Sequence, residues 1–325
     1  MGGDPCACSL RMSIREIARK ILPESTFARV LRAGKKMQRA RVERLPQLSE
    51  KDFTEILTGR LGLAANDVVY VHSSVDRLNL GFPFYRILSL LREVIGEGGT
   101  VLFPTYPNLR MSSYDYLLRG GTFDVRRTPS YTGLLNEFAR RQRGAVRSLH
   151  PTKSVCAIGP LAKELTATHQ QSPYPYDVCS PYFKLTECAA KIVGLGVSTR
   201  NLSFVYCTDD ALKEAFPVRV YHDRVFEVDC VNYEGQTERV GTYAHNMRMI
   251  EHDVPAYMKK HVSAEACLDL NIKGMNFFRA DAARLFDEML KLAREGITVY
   301  SRSVYSKDWK ERLLSIETTG QNRLR

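Results

Sequence analysis

The stretches VVYVHSSV at Val68–Val75 and GEGGTVLFPT at Gly96–Thr105 decide the fold. Each carries a short, β-branched apolar run without polar alternation, the pattern of a strand buried on both faces. Between them, Phe84–Ile95 places Ile87, Leu88, Leu91, Val94 and Ile95 at helical spacing, and Gly96, Gly98 and Gly99 turn the chain into the second run. Strand, helix and strand within this length predict a βαβ unit with a parallel pair.

Working outward, Ser49 is placed to cap a helix over Glu50–Leu57. Downstream the pattern predicts a short helix at Gly133–Arg140, a strand at Val155–Ile158, a helix at Leu161–Thr168, a strand at Lys191–Leu195 and a helical turn at Ala211–Glu214. Val225–Val231 and Gln236–Gly241 read as a hairpin around Glu234-Gly235, and Ala282–Ala293 as an amphipathic helix. The expected fold is α/β: three layers, α/β/α, with a mixed, partly parallel sheet and an added antiparallel hairpin. No internal repeat is visible.

The 325 residues are 44% hydrophobic and 26% charged, a globular composition, and no run has the roughly 18 apolar residues of a membrane span. The net charge of +11 is uneven: residues 1–45 hold eleven Lys or Arg against four Asp or Glu. We divide the chain into a basic amphipathic leader, 1–45, and a single-domain body, 46–325. In the leader, Met12, Ile14, Ile17, Ile21 and Leu22 sit among Arg15, Arg19 and Lys20, followed after Pro23 by Phe27, Val30 and Leu31. This stripe suits either peripheral contact with an anionic inner-membrane face or packing on the body. With the positive charge concentrated in the leader, nucleic-acid binding loses its support. No apolar signal segment is present, and the cysteines sit singly in apolar runs, which fits a cytoplasmic protein. Cys6 and Cys8 lack a second pair at metal-site spacing, so no metal is expected.

FDVRRTPSYTGLLNEFARRQRGAVRSLHPTKSVCAIG at Phe123–Gly159 and CSPYFKL at Cys179–Leu185 complete a series with the two opening stretches. In order and spacing the series resembles the aminoglycoside 3-N-acetyltransferase family, GAVRSLHPTKSVCAIG being its most specific part. The resemblance covers residues 50–215 and implies an acyltransferase using acetyl-CoA as cosubstrate. Its small-molecule acceptor would be an amine on an aminoglycoside or other amino sugar, and the enzyme a monomer or homodimer. The family's Thr, His and Glu fall here on Ser203, Tyr206 and Asp209 of LSFVYCTDD, and one glycine, Gly81, stands where the family has two.

Acyl transfer from a thioester needs a proton acceptor, oxyanion donors and a phosphate cradle. His150, held before Pro151, is the candidate general base, with Asp209 and Glu137 as further catalytic candidates; a turn-holding histidine is the alternative at 150. For the cofactor we expect His72, Ser73, Ser74 and Thr105 at strand ends, Arg147 and Ser148 beside the site, and a second loop with Ser180, Phe183 and Lys184. Tyr106, Tyr206, Asp209 and Asp210 are expected to contact the substrate. Two other readings remain open: an acyl-CoA-binding relative without acetyltransferase activity, and an amino-sugar acyltransferase serving glycan precursors at the inner membrane face. The slightly basic body favours a neutral or anionic amine over a polycation.

Overall fold

The structure, a computed structural model, describes residues 24–108, 111–250 and 252–319. Cys6, Cys8, Met12, Ile14, Ile17, Ile21, Leu22 and the Pro23 break lie outside the described residues.

Ten strands form two sheets: β1 (Val68–Ser73), β2 (Thr100–Pro104), β3 (Phe123–Asp124), β4 (Val146–Arg147), β5 (Val155–Ile158), β6 (Lys191–Leu195), β7 (Tyr221–Val231), β8 (Thr237–His245), β9 (Cys267–Ile272) and β10 (Met275–Asp281). Seven build the main sheet in the order β4-β5-β2-β1-β6-β10-β9, and β3-β7-β8 form the second. In the main sheet β2, β1 and β6 run parallel and β5 and β10 flank them antiparallel; in the second, β3 pairs parallel with β7 and β8 antiparallel to it.

The continuous apolar runs explain the layering. On β1, Val69 and Val71 enter one core cluster and Tyr70 the opposite one. The first is covered by helices Glu50–Glu55, Arg86–Ile95 and Leu134–Arg140, the second by Tyr206–Leu212 and Ala282–Arg294. The helix Arg86–Ile95 buries Ile87, Leu88, Leu90, Leu91 and Ile95. Each such side chain contributes on the order of 2 kcal/mol. Ser49 caps the first body helix in a reciprocal box: its hydroxyl accepts from Asp52 N–H at 3.1 Å, and the Asp52 carboxylate accepts from Ser49 N–H at 3.0 Å. That helix runs Glu50–Glu55 and widens into a π turn over Ile56–Arg60.

The hairpin of β7 and β8 is longer than its apolar pattern suggests, because Tyr221 and His245 also pair. The hairpin of β9 and β10 is not anticipated. Its turn is Lys273-Gly274, both at positive φ, and Lys-Gly is a weaker hairpin signal than Asn-Gly. β10 docks on β6 at a notch. Gly194 faces Phe278 in register, and a Cβ on Gly194 would lie 2.1 Å from the Phe278 ring. The Phe278 ring therefore occupies the space a side chain would need.

The helix Glu24–Val42 leaves Val30 52% and Met37 71% exposed. The helix approaches the body at the Val75–Arg77 turn, and beyond it the Leu45 carbonyl accepts from Asn79 Nδ2 at 2.7 Å while the Leu45 side chain packs against the body core. Among the described residues no helix is long and apolar enough to cross a membrane.

Candidate active site

The chain leaves β1 toward β2 on one side, and β6 joins it on the other, so a crevice opens at the carboxyl ends of three parallel strands. A cavity of about 220 Å³ lies there. β1 lends it His72 and Ser73, the end of β2 Pro104 and Tyr106, and the segment after β6 Asn201 and Ser203. Asn136 closes one wall; its Oδ1 accepts from Ser73 Oγ at 3.1 Å. On the other wall Tyr106 OH donates to Ser203 Oγ at 3.2 Å, and Tyr182 OH lies 2.7 Å from Tyr106 OH. His72 is buried with its Nε2 unpartnered, and burial pulls its pKa down to about 3, so it is a neutral imidazole.

One helical turn beyond Ser203, Tyr206 OH lies 3.1 Å from His252 Nε2, and both residues are partly exposed. Burial lowers the His252 pKa, so the ring is a neutral proton acceptor near pH 7. The Tyr206 ring also meets His245 at 4.7 Å. Lys153 extends over the Tyr106 ring with Nζ 4.9 Å from its centroid, and burial brings its pKa down to about 8.

The structure separates the residues expected at the site. His150 is 0% exposed. Its Nδ1 accepts backbone N–H bonds from Thr152 at 3.3 Å and Lys153 at 3.0 Å. Nε2 must then carry the proton and donate to Thr242 Oγ1 at 3.3 Å. A neutral imidazole so engaged matches the turn-holding alternative for this residue. Glu137 is likewise committed: Arg140 and Arg141 lie 2.7 Å from its carboxylate, and Ser130 N–H donates to it at 2.8 Å. Desolvation alone would raise its pKa, but the Arg140 hydrogen bond prevails and holds it at about 2. The carboxylate is thus held ionised between two guanidinium groups.

Among the cofactor residues, His72 and Ser73 reach the cavity and the others do other work. Ser74 Oγ donates to Asp76 at 2.5 Å. Ser180 Oγ accepts from Phe183 N–H at 3.1 Å as a helix cap, Phe183 packs on Phe286, and Lys184 Nζ donates to the Glu164 carbonyl at 2.9 Å. Thr105 Oγ1 donates to the Ser154 carbonyl. Ser148 Oγ accepts from Val155 N–H at 2.9 Å and meets His169 Nδ1 at 2.8 Å. Arg147 is buried against the Phe123 ring and donates to Ser154 Oγ and to the carbonyls of Thr105 and Thr128. It fastens the end of β2 to the second sheet.

Of the expected substrate contacts, Tyr106 lines the cavity and Tyr206 stands beside it. Asp209 borders a larger cavity of about 530 Å³ between the Tyr206–Leu212 helix and β7. Desolvation raises its pKa, and Tyr300 OH donates to it. Asp210 accepts from Tyr176 N–H and Tyr221 OH, each at 2.7 Å, and desolvation raises it to about 8. Lys153, His245 and His252 were not anticipated. Lys153 follows the recognised HPT motif and could have been found there; His252 lies where the sequence pattern is weakest.

A family model described as aminoglycoside 3-N-acetyltransferase matches residues 70–293. Aminoglycoside N(3)-acetyltransferase III of Salmonella sp is 34% identical over 172 residues, 49% of this chain and 59% of that protein. The type VII enzyme of Streptomyces paromomycinus is 32% identical over 161 residues, 45% of this chain and 55% of that one. The chain thus spans less than two thirds of the length of the curated relatives it matches. Among solved structures, AAC-IIIb in binary complex with CoASH superposes with a TM-score of 0.63 at 21% identity, over 79% of this chain and 100% of that one. AAC(3)-Xa gives 0.66 at 19%, over 82% and 99%. These likenesses are ones of fold, and with the model match they settle the kinship: the chain belongs to the aminoglycoside 3-N-acetyltransferase family.

Proposed function

We propose that the protein transfers an acetyl group from acetyl-CoA to an amine of an amino-sugar substrate. The observation that carries this reading is the hydroxyl-rimmed crevice at the ends of three parallel strands, with the His252 imidazole against Tyr206, which stands one helical turn beyond Ser203. The acyl donor lies along the carboxyl ends of β1 and β2, its thioester reaching the Tyr106 and Ser203 hydroxyls. The acceptor nitrogen attacks the thioester carbonyl; the C–N bond forms, the C–S bond breaks, and the proton lost from nitrogen ends on the departing thiolate. The Tyr106 and Ser203 hydroxyls are placed to steady the oxyanion. His252 takes the proton, directly or through Tyr206, because His150 has no free nitrogen lone pair.

Thiol release from acetyl-CoA, measured against a panel of mono- and polyamino sugars, tests the proposal. Turnover with at least one amine supports it. Tight acetyl-CoA binding without turnover of any amine favours instead an acyl-CoA-binding relative that has lost the reaction, the reading to which Tyr206 in place of a histidine lends its weight.

A further inference from the structure

An amine-binding site made for a polycation collects carboxylates. This one does the reverse. None of the side chains lining the crevice cavity is an Asp or Glu. Asp209 and Asp210 are turned into the protein, where Tyr300, Tyr221 and the Tyr176 N–H hold their oxygens. The larger cavity is bordered by Lys213, Arg219, Arg224 and Arg312 as well as by Asp209, Glu214 and Asp223, so it has no acidic excess.

Lys153 is the counterpart of this missing acid. Its backbone is fixed at both ends: N–H donates to His150 Nδ1 at 3.0 Å, and the carbonyl lies 3.1 Å from Tyr182 OH. The side chain is half-buried and rests over Tyr106, a wall of the cavity. Among the described residues Nζ has no carboxylate within ion-pair distance and no hydrogen-bond acceptor; it rests over the Tyr106 ring, and its charge acts on the neutral imidazoles of His150 and His245. A half-buried ammonium without a counter-ion is costly, and burial has already drawn its pKa down to about 8. An arriving anion relieves that cost and restores full charge. At the end of the hydroxyl series that runs from Tyr182 through Tyr106, Ser203, whose Oγ accepts from Tyr106, keeps its own O–H as a further donor.

We propose that the acceptor is an amino sugar bearing an anionic group, a phosphate or a carboxylate, which Lys153 receives beside Tyr106, and that polycationic acceptors are disfavoured. This rests on the acyl-transfer reading and narrows its substrate class.

Calorimetry on the full chain with glucosamine, glucosamine 6-phosphate and tobramycin tests it without requiring turnover. The wild type is expected to bind the phosphorylated sugar on the order of tenfold more tightly than glucosamine, and tobramycin no more tightly than glucosamine. Lys153→Met should remove the preference, Lys153→Arg should keep most of it, and acetyl-CoA affinity should be the same in all three proteins. Tighter binding of tobramycin overturns the proposal, as does a preference that survives in Lys153→Met. A loss of acetyl-CoA affinity with acceptor binding unchanged overturns it too, since the anion at Lys153 would then belong to the donor. Should Lys153→Met fail to fold, the three wild-type isotherms decide alone, and absence of the phosphate preference rejects the idea. Failure of the acyl-transfer reading is seen separately, as no thiol release with any amine while the calorimetric preference stands.

Discussion

The imidazoles of His150 and His169 stack face to face, their centroids 4.3 Å apart and their planes 27° from parallel. His169 donates from Nε2 to the Pro175 carbonyl at 2.9 Å and accepts from Ser148 at Nδ1, and His150 has the same tautomer. Two neutral rings in contact form a spacer between the HPT turn and the 168–176 loop. His150→Ala is accordingly expected to lower stability by roughly 2 kcal/mol, through lost packing and two unpaired N–H groups. Turnover should stay within about tenfold of wild type where the variant is folded, because the ring has no free lone pair. A fully folded variant with a loss of 10²-fold or more would restore His150 as the base.

His252 is expected to behave in the opposite way. His252→Asn should cut kcat on the order of 10²–10⁴-fold with melting temperature and acetyl-CoA affinity nearly unchanged. Because the His252 pKa is lowered, wild-type kcat/KM should be flat at pH 7–8 and fall only below about 6.5. Tyr206→Phe keeps the ring but loses the bond to Nε2, so its effect should be smaller and should move the acid limb. A pH profile in Tyr206→Phe identical to wild type refutes the pairing.

Stability should peak near pH 6.5. His72 and His169 are drawn down to about 3 by burial, and His150 and His245 lie well below their ordinary value. The unfolded chain therefore binds more protons at these four sites below about 6.5, and each removes about 1.4 kcal/mol per pH unit as the pH falls. Asp210, raised to about 8, and Asp209, also raised, act in the other sense, adding stability as the pH falls from 8 toward 4. Four histidines outweigh two aspartates below 6.5; between 6.5 and 8 the aspartates set the slope, since Lys153, lowered to about 8, and its unfolded counterpart are both largely protonated there. Urea midpoints at pH 5.5, 6.5 and 8 check this, and a midpoint higher at 5.5 than at 6.5 contradicts it.

Arg147→Met should be severe. It leaves the carbonyls of Thr105 and Thr128 and the Ser154 hydroxyl without their buried donor, at a cost of roughly 3 kcal/mol or more. Loss of Tyr106 positioning should accompany the fall in melting temperature and appear as a raised KM for the acceptor. A melting temperature equal to wild type counts against the clamp.

Removal of residues 1–41 should lower the melting temperature only slightly, since Val30 and Met37 stand open to solvent although the helix Glu24–Val42 approaches the body at the Val75–Arg77 turn. Removal of 1–48 should lower it further, because Leu48 is fully buried. Sedimentation with anionic and neutral vesicles, run on full-length and truncated chains, tests the leader as a membrane contact.

The parallel core was open to sequence reading because its strands are buried on both faces and so are uniformly apolar. Ser49, the hairpin around Glu234-Gly235 and the helix beginning at Ala282 were visible for equally local reasons. The site was read only in part. A strand-end serine such as Ser73 announces a crevice, but nothing in GAVRSLHPTKS tells which of His150 and Lys153 faces outward; that depends on Thr242, which arrives from β8. His252 escaped because its partner, Tyr206, lies far away in the chain and no periodicity links them. Glu137 and Arg147 drew notice as charges in a helix and beside a motif, yet both are consumed by neighbours that only the folded chain supplies.

The notch of Gly194 under Phe278 acts as a proofreading key for assembly. β6 and β10 come from distant parts of the chain and must find one alignment among several. A slip of one residue would turn every β10 side chain to the wrong face, and a slip of two toward the start of β6 would set the Phe278 ring against Ile192. At Gly194 the ring closes on β6 without meeting a side chain, whereas at Ile192 it would clash. The residue with nothing to contribute to the core thereby specifies how the C-terminal half is mounted on the crevice-bearing half.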